Sequence, residues 1–140
     1  MTDINSIIAG VDGSDTSRAA LHWAYAEAAH HGASLTVVTV WQPPTLPLSP
    51  PPADYETQPR TDALALLDRF VAELDTHEPA VDVRTSIEEG NPAKVLIERS
   101  KDGDLLVVGS RGHGGFAGML LGSVSQHLVA HASCPVVVVR

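Results

Sequence analysis

Apolar and polar positions come in blocks along the chain, and each block carries the period of one element type. Residues 5–11 are a short, mostly apolar run, which predicts a first strand. Ser14 then stands as an N-cap before a stretch to about His31 in which Ala20, Leu21, Ala24 and Ala28 share a helical face. Gly32 ends that helix, and residues 35–41 read as a second strand. Residues 42–59 hold seven prolines and read as a loop. Leu64, Leu67, Val71 and Leu74 recur at helical spacing, which predicts a second helix from Thr61 to about His77. Val81, Val83, Thr85 and Ile87 alternate with polar neighbours, as in a strand covered on one face and placed at a sheet edge. Asn91 and Pro92 make an N-cap and first-turn pair for a third helix ending near Gly103. Residues 105–108 are continuously apolar, which suits a central parallel strand buried on both faces. A glycine-rich loop follows, then a fourth helix from Ser123 and a last strand over Val136–Val139.

The resulting order is β-α-β-α-β-α-β-α-β. Regular alternation implies a parallel sheet with helices on both faces, and right-handed crossovers make it doubly wound. With the third strand at one edge, the expected five-strand order is 3-2-1-4-5. Ligands on such sheets sit beyond the carboxyl ends of the strands, where the strand order reverses. That point falls between the first and fourth strands, so the loops after Val11 and Val108 are the candidate site. The length of 140 residues fits one domain, expected to span residues 1–140.

Composition narrows the function. The formal net charge of −8 opposes DNA, RNA and anionic lipid, so neither a nucleic-acid nor a membrane partner is expected. An anionic small ligand would need local donors. Cys134 is the one cysteine, which excludes an internal disulfide and suits a reducing compartment. The opening residues lack the basic-then-apolar pattern of a secretion signal, and no apolar run approaches a membrane span. The expected location is the cytoplasm.

The chemistry concentrates in Gly109-Ser110-Arg111-Gly112, nine residues, then Gly122-Ser123. Gly109 and Gly112 stand where a buried strand empties into a loop, and each lets the backbone bend and approach a bulky ligand. Successive N–H groups in such a loop can form a concave anion site. Gly122 and Ser123 open the next helix, whose first N–H groups lack intrahelical partners and whose dipole is positive there. A phosphate suits that end. Ser123 and Ser125 offer hydroxyls and Arg111 a charge. Each part also has a plain structural reading. Ser123 with Gln126 is a capping box, and glycines after strands are common turn residues. The GxxxxGK[ST] loop is absent. Residues 112–117 match a loose dinucleotide fingerprint, but after the wrong strand and without the acidic partner.

The spaced glycine–serine pattern resembles the ATP-binding signature of the universal stress protein family. Gly10-Val11-Asp12-Gly13-Ser14, Val38-Thr39-Val40 and Cys134-Pro135 followed by four valines are similar to that family as well, so the resemblance covers the chain. It implies an adenine nucleotide α-hydrolase-like fold and ATP as ligand, with AMP or cyclic AMP as alternatives. It also implies a role for Asp12 at the ribose or at phosphate-bound magnesium, with Gly10 and Val11 on the same side. Val40 would read adenine through its backbone. Gly109 and Arg111 would flank ribose and phosphates, with Ser110 and His113 beside them. Gly112, Gly122, Ser123, Val124 and Ser125 would hold the triphosphate. The last strand, apolar on both faces yet expected at an edge, needs cover, and a homodimer through Val136–Val139 supplies it, as in the family.

Other features carry less. His30 and His31 are adjacent on a helix and point apart, while His127 and His131 share a face without a third ligand. Cys134 and Ser110 have no base beside them in any motif, so neither reads as a nucleophile. Trp23 and Trp41 are expected in the core or anchoring loops rather than stacking on a ligand. The proline tract reads as a lid or linker. The resulting expectation is a nucleotide-dependent sensor of stress with an unidentified downstream protein partner. The alternatives are slow ATP hydrolysis or phosphotransfer, and an interaction module without ligand. Phosphoryl transfer requires a group that positions the nucleophile, and the motif contains no such cluster, so any turnover is expected to be incidental. Gly109→Ala is expected to abolish nucleotide binding and keep the fold, because a methyl there would obstruct the ligand's approach.

Overall fold

The computed structural model describes residues 3–43, 57–74, 81–111 and 122–140. Its elements run β1 (Ser6–Gly10), α1 (Asp15–His31), β2 (Ser34–Trp41), α2 (Thr57–Ala72), β3 (Val83–Glu89), α3 (Pro92–Arg99), β4 (Leu105–Gly109), α4 (Ser123–His131) and β5 (Val136–Val139). All five strands are parallel, in the order β3-β2-β1-β4-β5. This is the order expected from the alternating third strand, which does lie at an edge. The strand order reverses at β1, where Ile7 pairs with Leu35 on one side and Leu105 on the other.

Period-two alternation divides the strand residues between two cores. Ile7, Ala9, Leu35, Val37, Leu105 and Val107 pack under α1 and α2, against Leu21, Leu67 and Phe70. Ile8, Val38, Leu106 and Val108 pack with Leu96 of α3 and Leu128 of α4. Ala20, Ala24 and Ala28 are fully buried, so α1 meets the sheet through a stripe with almost no side-chain bulk. Trp23 falls off that stripe and is 38% exposed, so it is no core residue.

Local chemistry sets the helix ends. Ser14 caps α1 by accepting from the Ser17 N–H, and Gly32 closes the helix at φ 65°, a left-handed conformation suited to glycine. Asn91 caps α3 through the Lys94 N–H at 3.1 Å, with Pro92 in the first turn. A 3₁₀ turn over Ser100–Asp102 then carries α3 to Gly103, near its expected end. Arg99 ties α3 to the edge strand, donating to Glu88 and to the Ser86 hydroxyl, each at 2.6 Å.

One helix start differs from expectation, and one helix cap. α2 begins at Thr57, four residues before Thr61. Pro59 reads as a breaker in the sequence, but it falls in the first helical turn, where a missing N–H costs nothing. α4 has no capping box. The helix starts at Ser123 as expected, but its N-cap is Gly122, in extended backbone and without a side-chain cap, and the Gly122 N–H donates to the Ser110 carbonyl at 2.6 Å. The expected last turn of α2 beyond Leu74 and most of the proline tract lie outside the described residues.

Leu106 is fully buried on a central strand. Leu106→Ala is expected to lower the unfolding free energy by about 2–5 kcal/mol in urea denaturation. A loss well under about 1 kcal/mol would contradict the burial of this position.

Candidate functional site

A cleft of about 680 Å³ opens beyond the carboxyl ends of the strands, at the predicted switch point. That volume is in the range of small-molecule sites. Its lining includes Gly10 at the end of β1 with Val11 and Asp12 after it, Val38, Val40 and Trp41 of β2, and Gly109 at the end of β4 with Arg111 after it. The start of α4, Gly122 to Ser125, lines it as well. Asp62 and Leu66 of α2 and Pro92 and Leu96 of α3 also border it.

The α4 end is arranged as a donor cluster. Its hydrogen-bond ladder begins with the Gln126 N–H donating to Gly122 at 3.0 Å, so the N–H groups of Ser123, Val124 and Ser125 precede the ladder. They carry the positive end of the helix dipole into the cleft. Ser125 adds less than its sequence suggests. It is 3% exposed, and its hydroxyl donates to the Gly109 carbonyl at 2.8 Å, which joins α4 to β4. What Ser125 offers a ligand is therefore its backbone.

Asp12 lines the cleft and is exposed. Its Oδ1 accepts from the Ser14 N–H at 2.9 Å and the Ser14 hydroxyl at 2.6 Å, so the carboxylate braces the cap of α1. The buried Ser17 hydroxyl donates to the Ser14 carbonyl at 2.9 Å and accepts from the Asp12 N–H at 3.3 Å. Thr39, almost fully buried on β2, donates to the Val11 carbonyl at 3.2 Å and holds that loop from below.

The cleft brings together Gly10, Val11, Asp12, Val40, Gly109, Arg111, Gly122, Ser123, Val124 and Ser125. Ser110 is 3% exposed and is not among the described residues that line the cleft. Its N–H donates to Val139 at 2.7 Å and its carbonyl accepts from Gly122, so it staples β5 and α4 to the end of β4. Gly112 and His113 lie outside the described residues. Ser17, Thr39 and Leu96 are lining residues that the sequence reading did not single out. Trp41, expected to anchor a loop, borders the cleft as well.

The reason for two glycines also changes. A Cβ at Gly109 would lie 2.5 Å from Thr16 Oγ1 and 2.6 Å from the Ser17 nitrogen, inside the start of α1. A Cβ at Gly10 would lie 2.9 Å from the Leu96 side chain of α3. At Gly109 the neighbour is helix backbone, so glycine is what lets α1 seat against the end of β4, whereas at Gly10 it is the end of a leucine side chain that can shift. Cys134 lies at the opposite, amino edge of the sheet. Its thiol is raised above its ordinary value by burial first and by the Asp104 carboxylate second, which keeps it protonated.

The universal stress protein family model matches residues 4–140, which is the whole described sheet and both walls of the cleft. The chain belongs to the universal stress protein family. A universal stress protein of Mycolicibacterium smegmatis is 38% identical over 139 residues, covering 96% of this chain and 45% of that protein. The chain thus spans about half the length of the curated relatives it matches. A solved universal stress protein in complex with cAMP is 27% identical, with a TM-score of 0.76 over 99% of each chain. The AMP-bound family member from Arabidopsis thaliana is 25% identical, with a TM-score of 0.64 over 96% of this chain and 90% of its own. Both share the fold of this family member. No helix among its described residues is long and apolar enough to cross a membrane.

Gly109→Ala is now expected to destabilise the protein itself. Crowding the α1 backbone should cost about 1–3 kcal/mol, read as a lowered Tm without any ligand. An unchanged Tm would return the position to a purely ligand-facing role.

Proposed function

We propose that this protein binds ATP in the cleft and that occupancy serves as a regulatory signal in a stress response. The observation that carries the reading is the set of N–H groups at Ser123, Val124 and Ser125. They stand ahead of the α4 ladder and line the same cleft as Arg111 and Asp12. In this reading Gly122 to Ser125 and Arg111 hold the phosphates. Val40 lies beside the base, and Asp12 meets the ribose or a magnesium ion bound to the phosphates. One exposed carboxylate next to phosphate oxygens suits magnesium, which when bound would offset phosphate charge. The relatives solved with cAMP and AMP support an adenine nucleotide as the ligand class.

A homodimer through β5 belongs to the same proposal. β5 is the edge strand beside β4, and its four valines are each only partly buried. Sedimentation at micromolar concentration is expected to give a dimer, and Val137→Lys a monomer. A wild-type monomer would remove this part of the reading.

The nucleotide is tested on protein purified without added ligand, by denaturing it and chromatographing the released small molecules. ATP is the expected species, whereas ADP alone would indicate hydrolysis. Calorimetry on stripped protein is expected to show ATP binding more tightly than AMP or cyclic AMP. Arg111→Ala is expected to weaken ATP about tenfold and to leave adenosine unchanged, the effect of losing one charge-assisted contact. Stripped protein that ignores all three nucleotides would overturn the proposal.

A further inference from the structure

Thr16 is the second residue of α1, and it does not cap that helix, because Ser14 takes that role through the Ser17 N–H at 3.2 Å. Its hydroxyl reaches across the fold instead. Thr16 Oγ1 donates to the Arg111 carbonyl at 2.8 Å and accepts from the Arg111 N–H at 3.4 Å, a partner 95 residues away. Ser14 Oγ also lies 3.1 Å from that carbonyl, but its one hydrogen has a closer, charged acceptor in Asp12 at 2.6 Å. Thr16 is therefore the better donor to Arg111. The peptide before Arg111 is held from the other side, since the Ser110 carbonyl accepts from the Gly122 N–H at 2.6 Å. A hydrogen-bonded run thus connects the start of α1, through Thr16, Arg111 and Ser110, to the first residue of α4.

We infer that Thr16 is a positioning residue for the phosphate side of the cleft. Its hydroxyl fixes the Arg111 backbone, and through it the spacing between the Arg111 side chain and the α4 amides. A threonine in the first turn is not needed for helix formation, where alanine is the better former. Its hydroxyl serves a contact between loops. The inference rests on the proposed nucleotide site and adds a residue that touches no ligand in that proposal.

The test is calorimetric titration of wild type, Thr16→Val and Thr16→Ser with ATP and with adenosine, alongside thermal unfolding. Valine keeps the shape of threonine and removes both hydrogen bonds, and serine keeps the hydroxyl. Thr16→Val is expected to weaken ATP about tenfold, as for one lost hydrogen bond, and to leave adenosine within about twofold. Thr16→Ser is expected to restore ATP binding. Thr16→Ala makes the same comparison if the valine variant does not fold. A folded variant without the hydroxyl that binds ATP like wild type overturns the inference. So does one that loses ATP and adenosine alike, or a serine variant as impaired as the valine variant. Wild-type protein that binds no nucleotide would instead sink the underlying site, which separates the two failures.

Discussion

α1 begins directly against the end of β4, and only a residue without a side chain at position 109 allows that contact. The helix backbone at Thr16 and Ser17 occupies the space where any Cβ on Gly109 would lie. Much else depends on this seating. It brings the Asp12 loop and the Arg111 segment together so that Ser14 and Thr16 can reach across. It also leaves the Gly109 carbonyl to be taken up by Ser125, which sets the start of α4. The segment from Asp12 to Ser17 and the described residues Gly109 to Arg111 are thus one hydrogen-bonded assembly that lines part of the cleft.

A net charge of −8 does not by itself exclude the proposed nucleotide site. Exposed charges farther off than about 8 Å are largely screened at physiological salt. The potential inside a cleft is set by the nearest groups: the amides before the α4 ladder and the Arg111 guanidinium, set against the Asp12 and Asp62 carboxylates. Global charge still bears on larger polyanions, which contact far more of the acidic surface.

The sheet was legible because its signals are local. Alternation at residues 81–87 marked an edge strand, the apolar run at 105–108 marked a central one, and together they located the reversal of strand order. The glycine–serine spacing marked which loops matter. What was not legible depends on contacts between distant residues. Ser125 read as a ligand hydroxyl, yet its hydroxyl joins α4 to β4, and Ser110 joins β5 and α4 through its backbone. Thr16 carries no periodic or motif signal at all, because its partner lies in another loop. Pro59 read as part of a linker, since sequence alone does not tell a first-turn proline from a breaker. Gly109 read as room for a ligand, and its packing against the start of α1 did not show because that helix is distant in sequence.

The most direct measurement is a crystal structure of the protein with ATP. The account predicts phosphate oxygens within hydrogen-bonding distance of the backbone nitrogens of Ser123, Val124 and Ser125, with the base beside Val40. A nucleotide bound elsewhere, or bound here with its phosphates turned away from α4, would contradict it.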